Sequence, residues 1–99
     1  MSGQLGLVDG AVVHGGVEAE VAQALANMAA LLEGEGASLA SVAKTTVFLR
    51  HMSDYAPMNQ AYVEAFGDHR PARAAVAVAE LPLDAKVEIE AWAYSPASA

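Results

Sequence analysis

Hydrophobic and polar positions along the chain switch between two periods, and the switches mark its elements. Two short apolar runs, Leu5-Gly6-Leu7-Val8 and Ala11-Val12-Val13, flank Asp9-Gly10. Asp-Gly accepts the left-handed backbone of a type I′ turn, so Leu5 to Val13 is expected to be a hairpin, broken by His14-Gly15-Gly16. From Val17 to Glu33 the period is helical. Val17, Val21, Leu25, Met28 and Leu32 recur at steps of three and four, while Glu18, Glu20, Gln23 and Asn27 lie off that stripe. Glu18 and Glu20 fall in the first turn, where the helix dipole favours negative charge. Gly34 and Gly36 supply stop signals.

Val42 to Leu49 contains Val42, Thr45, Thr46 and Val47 and reads as a strand. A second helix follows, with Ser53 as its expected N-cap, Pro57 tolerated in the first turn, and Tyr55, Met58, Tyr62 and Phe66 as its stripe. Gly67 ends it. The loop Asp68-His69-Arg70-Pro71 leads to a strand from about Arg73 to Leu81, then a turn over Leu81-Pro82-Leu83-Asp84. The last strand, Lys86 to Tyr94, alternates: Val87, Ile89, Ala91 and Ala93 face one way, Glu88, Glu90, Trp92 and Tyr94 the other. A Ser-Pro-Ala tail is expected to fray. The order β-hairpin, α, β, α, β, β predicts an α+β fold, with two amphipathic helices on one face of a four- or five-stranded mixed sheet. The opposite sheet face is part apolar and part acidic, and needs a second layer that a symmetric oligomer would supply.

Composition sharpens that need. The 99 residues make one domain, 1–99, with no repeat or linker. So short a chain buries only somewhat over half of its unfolded surface. Yet 55% of its residues are hydrophobic, which points to association with identical subunits. Twelve acids against five Lys and Arg give a net charge of −7, which argues against a phosphate-tracking surface and against nucleic acid as a partner. There are no cysteines, which excludes disulfides, thiolate nucleophiles and cysteine metal sites. His14, His51 and His69 are scattered without ligand spacing, so no metal site is expected. No basic segment leads into an apolar core at the N-terminus and no apolar run reaches spanning length, so no membrane partner is expected and the cytoplasm is the natural location.

Three stretches carry a resemblance: Lys44-Thr45-Thr46-Val47-Phe48-Leu49; Asn59-Gln60-Ala61-Tyr62 with Phe66; and Arg70-Pro71-Ala72-Arg73, followed by Val76-Ala77-Val78, Leu81-Pro82 and Val87-Glu88-Ile89-Glu90-Ala91. With Ser2-Gly3-Gln4 they resemble the RidA/YjgF family, also called endoribonuclease L-PSP, over essentially the whole chain. The resemblance implies a chorismate mutase-like (YjgF-like) fold and a homotrimer with clefts between neighbouring subunits. It implies cofactor-free hydrolysis of 2-enamine/2-imine acids to 2-oxo acids and ammonia. It also implies roughly another strand and a half ahead of Ser2, supplying a pocket tyrosine that has no counterpart here.

On the residues present, Arg73 is the expected anchor for a substrate carboxylate, because a guanidinium fork binds carboxylate through two parallel hydrogen bonds. From spacing alone a surface ion pair, for instance with Glu88, is the favoured reading, and it is the motif context that reverses the order in favour of the anchor. Family analogy makes Glu88 the catalytic group that positions the attacking water, a role its carboxylate suits. Glu90, about 7 Å further along the same face, reads as a structural or solvated carboxylate. Asn59 is expected to line the pocket, although a lone helix asparagine is commonly a surface group. Gly3 matches a residue whose backbone approaches the ligand, and simple turn chemistry would also explain it. Ala75 stands where many relatives carry Cys, Ser or Thr in contact with substrate. Alanine removes a hydrogen bond there and would admit a bulkier or more apolar ligand. The loop from Phe66 to Pro71 is shorter than in the deaminase prototype and should reshape the cleft mouth.

The reading that follows is an imine deaminase with Arg73 as anchor and Glu88 as water positioner. A non-catalytic trimer binding a small carboxylate is the alternative from another class. An RNA endonuclease or translation inhibitor is the third, disfavoured by charge.

Overall fold

The computed structural model describes residues 3–94; the Ser-Pro-Ala tail and Ser2 lie outside the described residues. The hairpin is there but short. Strands β1 (Leu7–Val8) and β2 (Ala11–Val12) pair antiparallel, and Asp9 and Gly10 take φ values of 52° and 82°, both left-handed as the type I′ turn requires. Helix α1 spans Gly16–Glu33, and the expected stripe of Val17, Val21, Leu25, Met28 and Leu32 is buried. Gly34 remains in right-handed helical conformation; the left-handed residue after the helix is Gly36, at φ 77°.

Two off-stripe residues of α1 do more than expected. Glu20 is buried, and its Oε1 accepts the Lys86 backbone N–H at 2.7 Å, satisfying a donor just ahead of the last strand. Only Glu18 remains an exposed first-turn acid. Asn27 donates from Nδ2 to the Leu5 and Leu7 carbonyls at 3.3 and 3.1 Å, and receives Gln23 Nε2 at 2.8 Å. These bonds hold the hairpin against α1. Gly6 permits the approach, since a Cβ there would lie 2.6 Å from the Glu20 carbonyl oxygen.

Strand β3 covers Val42–Leu49 and helix α2 Tyr55–Phe66. Ser53 does not cap α2. It lies within a single 3₁₀ turn, Met52–Asp54, that delivers the chain into the helix, and α2 has no side-chain cap. Strand β4 runs Ala72–Ala77, four residues shorter at its end than expected. The reason is its partner: Leu49, the last residue of β3, pairs with Ala77, and just beyond it the Val78 N–H donates to the Leu49 carbonyl at 2.8 Å. A 3₁₀ turn at Pro82–Asp84 leads into β5, Val87–Ala93.

The main sheet has three strands in the order β4-β3-β5, with β3 parallel to β4 and antiparallel to β5. The expected four or five strands are not reached, because the hairpin peels away onto α1. Only Gln4 bridges to Ile89 on the outer edge of β5. Helices α1 and α2 cover one face, where Thr45, Val47, Leu49, Val87, Ile89 and Ala91 meet Leu25, Met28, Met58 and Tyr62 in a single core. The other face carries Lys44, Thr46 and Phe48 of β3, Ala72, Ala74 and Val76 of β4, and Glu88, Glu90 and Trp92 of β5. No helix covers it; Val76 and Trp92 are 43% and 49% exposed. Lys44 Nζ lies 5.1 Å from the centre of the Trp92 ring. No helix among the described residues is long and apolar enough to cross a membrane.

Candidate active site

Register decides what Arg73 meets. Arg73 pairs with Thr45 and therefore points to the helix side of β4, the outer strand of the sheet. Opposite it, Tyr55, Asn59 and Tyr62 fall at steps of four and three and share one face of α2. The guanidinium docks on that face. Nη1 donates to Asn59 Oδ1 at 2.6 Å and Nη2 to the Tyr55 hydroxyl at 2.8 Å. Its central carbon lies 4.7 Å from the Tyr62 ring centre and 5.5 Å from that of Tyr55, so both rings present their negative faces to the cation.

Tyr62 is fixed in turn from below. Its hydroxyl shares a 2.7 Å hydrogen bond with Thr45, which is fully buried, and its ring packs on Phe66 at 4.7 Å. Burial raises the Tyr62 phenol above its ordinary value of 10.0, while the Thr45 bond and the positive charge of Arg73 pull it back. The phenol is thus a neutral floor beneath the guanidinium.

The loop after α2 closes the site. Gly67 takes φ 63°, and the Arg70 Nη1 group donates to the Gly67 carbonyl and, at 3.2 Å, to that of His69. His69 Nε2 bonds the Val42 carbonyl at 2.6 Å, tying the loop to the start of β3. The result is a cavity of about 360 Å³ lined by Asn59, Tyr62, Val63, Arg70, Pro71 and Arg73. Among the described residues no carboxylate pairs with either arginine. An uncompensated guanidinium held in place at a cavity is arranged to receive an anion.

Glu88 is elsewhere. It pairs with Phe48, one residue out of step with the Arg73 row, and so belongs to the uncovered face of the sheet. An Arg73–Glu88 ion pair within one chain is therefore ruled out. Glu90 pairs with Thr46 and shares the Glu88 face. Gly3 lies beside Glu88: a Cβ on Gly3 would overlap the Glu88 carboxylate. Ala75 shares the helix-facing side with Arg73 but packs against the core rather than lining the cavity. The structure thus groups Arg73 with Asn59, groups Glu88 with Gly3, and places the two groups on opposite sides of one sheet. Tyr55, Tyr62 and Arg70 were not expected at the site. The recurrence of polar-tipped residues at 55, 59 and 62 was the available signal, hidden because two of the three also fit the apolar stripe. A second cavity, of about 230 Å³, lies beyond the far end of β3 and is lined by Arg50, His51, Glu80, Leu81, Asp84, Ala85 and Lys86.

Comparison with known proteins shows the family and the fold. The family model described as Endoribonuclease L-PSP matches residues 1–95. The human 2-iminobutanoate/2-iminopropanoate deaminase is 43% identical over 95 residues, covering 94% of this chain and 69% of that protein. The crystal structure of RidA from an Antarctic Psychrobacter superposes with a TM-score of 0.90 at 40% identity, covering 95% of this chain and 77% of the other. The Escherichia coli TdcF structure with bound serine gives 0.86 at 35% identity, covering 93% and 76%. With the motifs, the fold and these relatives in agreement, the chain belongs to the RidA/YjgF family, the family of Endoribonuclease L-PSP.

Proposed function

We propose that the chain is a 2-enamine/2-imine deaminase, hydrolysing reactive imino acids to 2-oxo acids and ammonia in a cleft between subunits of a cytoplasmic homotrimer. The observation that carries the reading is the Arg73 guanidinium, unpaired with any acid among the described residues and held by Asn59 and Tyr55 at a cavity. Relatives named for deamination of 2-iminobutanoate and 2-iminopropanoate, and one with bound serine, support a small α-carboxylate ligand.

In this reading Arg73 anchors the substrate carboxylate through N–H groups not engaged by Asn59 and Tyr55. Glu88 of an adjacent subunit, on the uncovered sheet face, orients a water. The water oxygen bonds to the imine carbon, and the C=N π pair moves to nitrogen. Glu88 takes a proton from the water and returns it to that nitrogen, giving a carbinolamine. Glu88 then relays the hydroxyl proton to the nitrogen, and the freed oxygen pair closes the C=O bond as the C–N bond breaks, releasing ammonia and leaving the 2-oxo acid. The imine carbon is already electrophilic, so orientation supplies most of the assistance and the chemistry needs no cofactor. The apolar and acidic sheet face with Phe48, Val76 and Trp92 is the surface on which a second copy would bring Glu88 to Arg73.

The test is a coupled assay in which a dehydratase releases 2-aminoacrylate and the decay of the imine is followed. Acceleration lost in Arg73→Ala supports the reading; an unchanged rate in that variant overturns the anchor assignment. A carboxylate-binding trimer without catalysis is the second reading, favoured by the separation of Glu88 from Arg73 within one chain. It predicts 2-oxo acid binding with no acceleration. RNA cleavage, which the family's description denotes, gains no support from a net charge of −7.

A further inference from the structure

We infer that the cavity beside Arg73 selects imino acids whose side chain carries a second carboxylate, and that Arg70 receives it. The inference rests on the deaminase reading of the same site and narrows its substrate class. The chain has only three arginines, and two of them, Arg70 and Arg73, line one cavity that contains no acidic residue. Twelve acids are available elsewhere, yet neither guanidinium is paired with one among the described residues. Two cations sharing a cavity repel each other, so the arrangement favours a ligand bearing two negative charges over one bearing a single charge.

The geometry suits such a ligand. Arg70 is held, because its Nη1 is spent on the Gly67 and His69 carbonyls, but its Nη2 and Nε edge is not, and that edge of the fork is one that grips a carboxylate in parallel. Arg73 is held in the same manner by Asn59 and Tyr55. The same lining includes Val63 and Pro71, apolar surface against which a short aliphatic chain can pack. A monocarboxylate would satisfy Arg73 and leave Arg70 without a counter-charge.

The experiment measures calorimetric affinities for stable 2-oxo acid products: 2-oxoglutarate, with two carboxylates, against 2-oxobutanoate, with one. The dicarboxylate should bind about tenfold more tightly or better. Arg70→Gln should collapse the ratio towards one. Arg50→Gln, which removes the same charge at the distant second cavity, should preserve it. Equal affinities in the unmodified protein, or a ratio that survives Arg70→Gln, overturns the inference. Succinate against butyrate on the unmodified protein gives a check that needs no variant, with the same outcomes. Rates on imines made by an amino-acid oxidase from glutamate and from alanine separate the two readings. Hydrolysis without preference for the acidic imine sinks the inference alone. A dicarboxylate affinity ratio with no hydrolysis of either imine sinks the deaminase reading and keeps the selectivity of the site.

Discussion

Arg73 and Glu88 stand on opposite faces of one three-stranded sheet: Arg73 is in the row of Thr45, which faces the helices, and Glu88 is in the row of Phe48, which faces away. A strand alternates its side chains, so no rotamer change brings the two together within a chain. If both act on one substrate, two chains must supply them.

That requirement gives a complementation test. Co-expressed Arg73→Ala and Glu88→Gln chains, each inactive alone, should assemble at random into trimers, so that about a quarter of all interfaces unite the intact arginine of one chain with the intact glutamate of the next. Activity should return to roughly that fraction of the unmodified rate. Mixed trimers that remain silent would show that the two residues do not share a site across subunits.

The cage around Arg73 should tune binding more than chemistry. Tyr55→Phe removes one hydrogen bond to the guanidinium and keeps the ring, whereas Asn59→Ala removes the other. A hydrogen bond to a charged group contributes about 1.5–3 kcal/mol, so a rise in KM of about tenfold or more is expected for Asn59→Ala. The effect of Tyr55→Phe should be smaller, because Tyr55 is 39% exposed and water can replace its hydroxyl. Steady-state kinetics would contradict this if kcat fell while KM stayed constant.

Two glycines should respond differently to alanine. At Gly3 the new Cβ meets the carboxylate end of the Glu88 side chain, which can swing aside. The fold should tolerate Gly3→Ala while turnover falls about tenfold or more through displacement of Glu88. At Gly6 the new Cβ would lie 2.6 Å from the Glu20 carbonyl oxygen and 2.7 Å from its Cα, backbone atoms that cannot yield cheaply. A cost of about 1–3 kcal/mol is expected there, lowering Tm by about 5 °C or more. Thermal melts and turnover on both variants check the contrast, which fails if Gly3→Ala retains full turnover.

Tyr62 supplies a pH signature. Its phenol pKa is raised in the folded chain, chiefly by burial. Between the unfolded value near 10 and the higher folded value, the unfolded chain has lost this proton and the folded chain keeps it. The contribution is therefore fully present below pH 10 and is lost as pH rises through the folded value. Urea unfolding of the native protein should lose more stability above pH 10 than Tyr62→Phe does. Below that pH, Tyr62→Phe should be the less stable by about 1–3 kcal/mol, because the buried Thr45 hydroxyl loses its partner. Parallel pH curves for the two proteins would remove the assignment.

The order of elements was legible in the chain alone, because each element rests on a local period: the three-and-four spacing of Val17 to Leu32, the alternation of Val87 to Ala91, and the Asp9-Gly10 turn. The sequence also pointed to Arg73, Asn59, Glu88 and Gly3, through the resemblance carried by their motifs. It did not reveal that β4 stops at Ala77, since that depends on where its partner β3 ends, nor that the hairpin leaves the sheet for α1, since that depends on Asn27 reaching carbonyls some twenty residues away. Glu20 and Tyr55 read as an ordinary dipole acid and an ordinary stripe residue, yet one holds the Lys86 amide and the other the Arg73 guanidinium. Above all, the separation of Arg73 from Glu88 came from the assembled sheet. Local periodicity gives the faces of each strand separately, but which face of β4 matches which face of β5 is set by the register of both against β3.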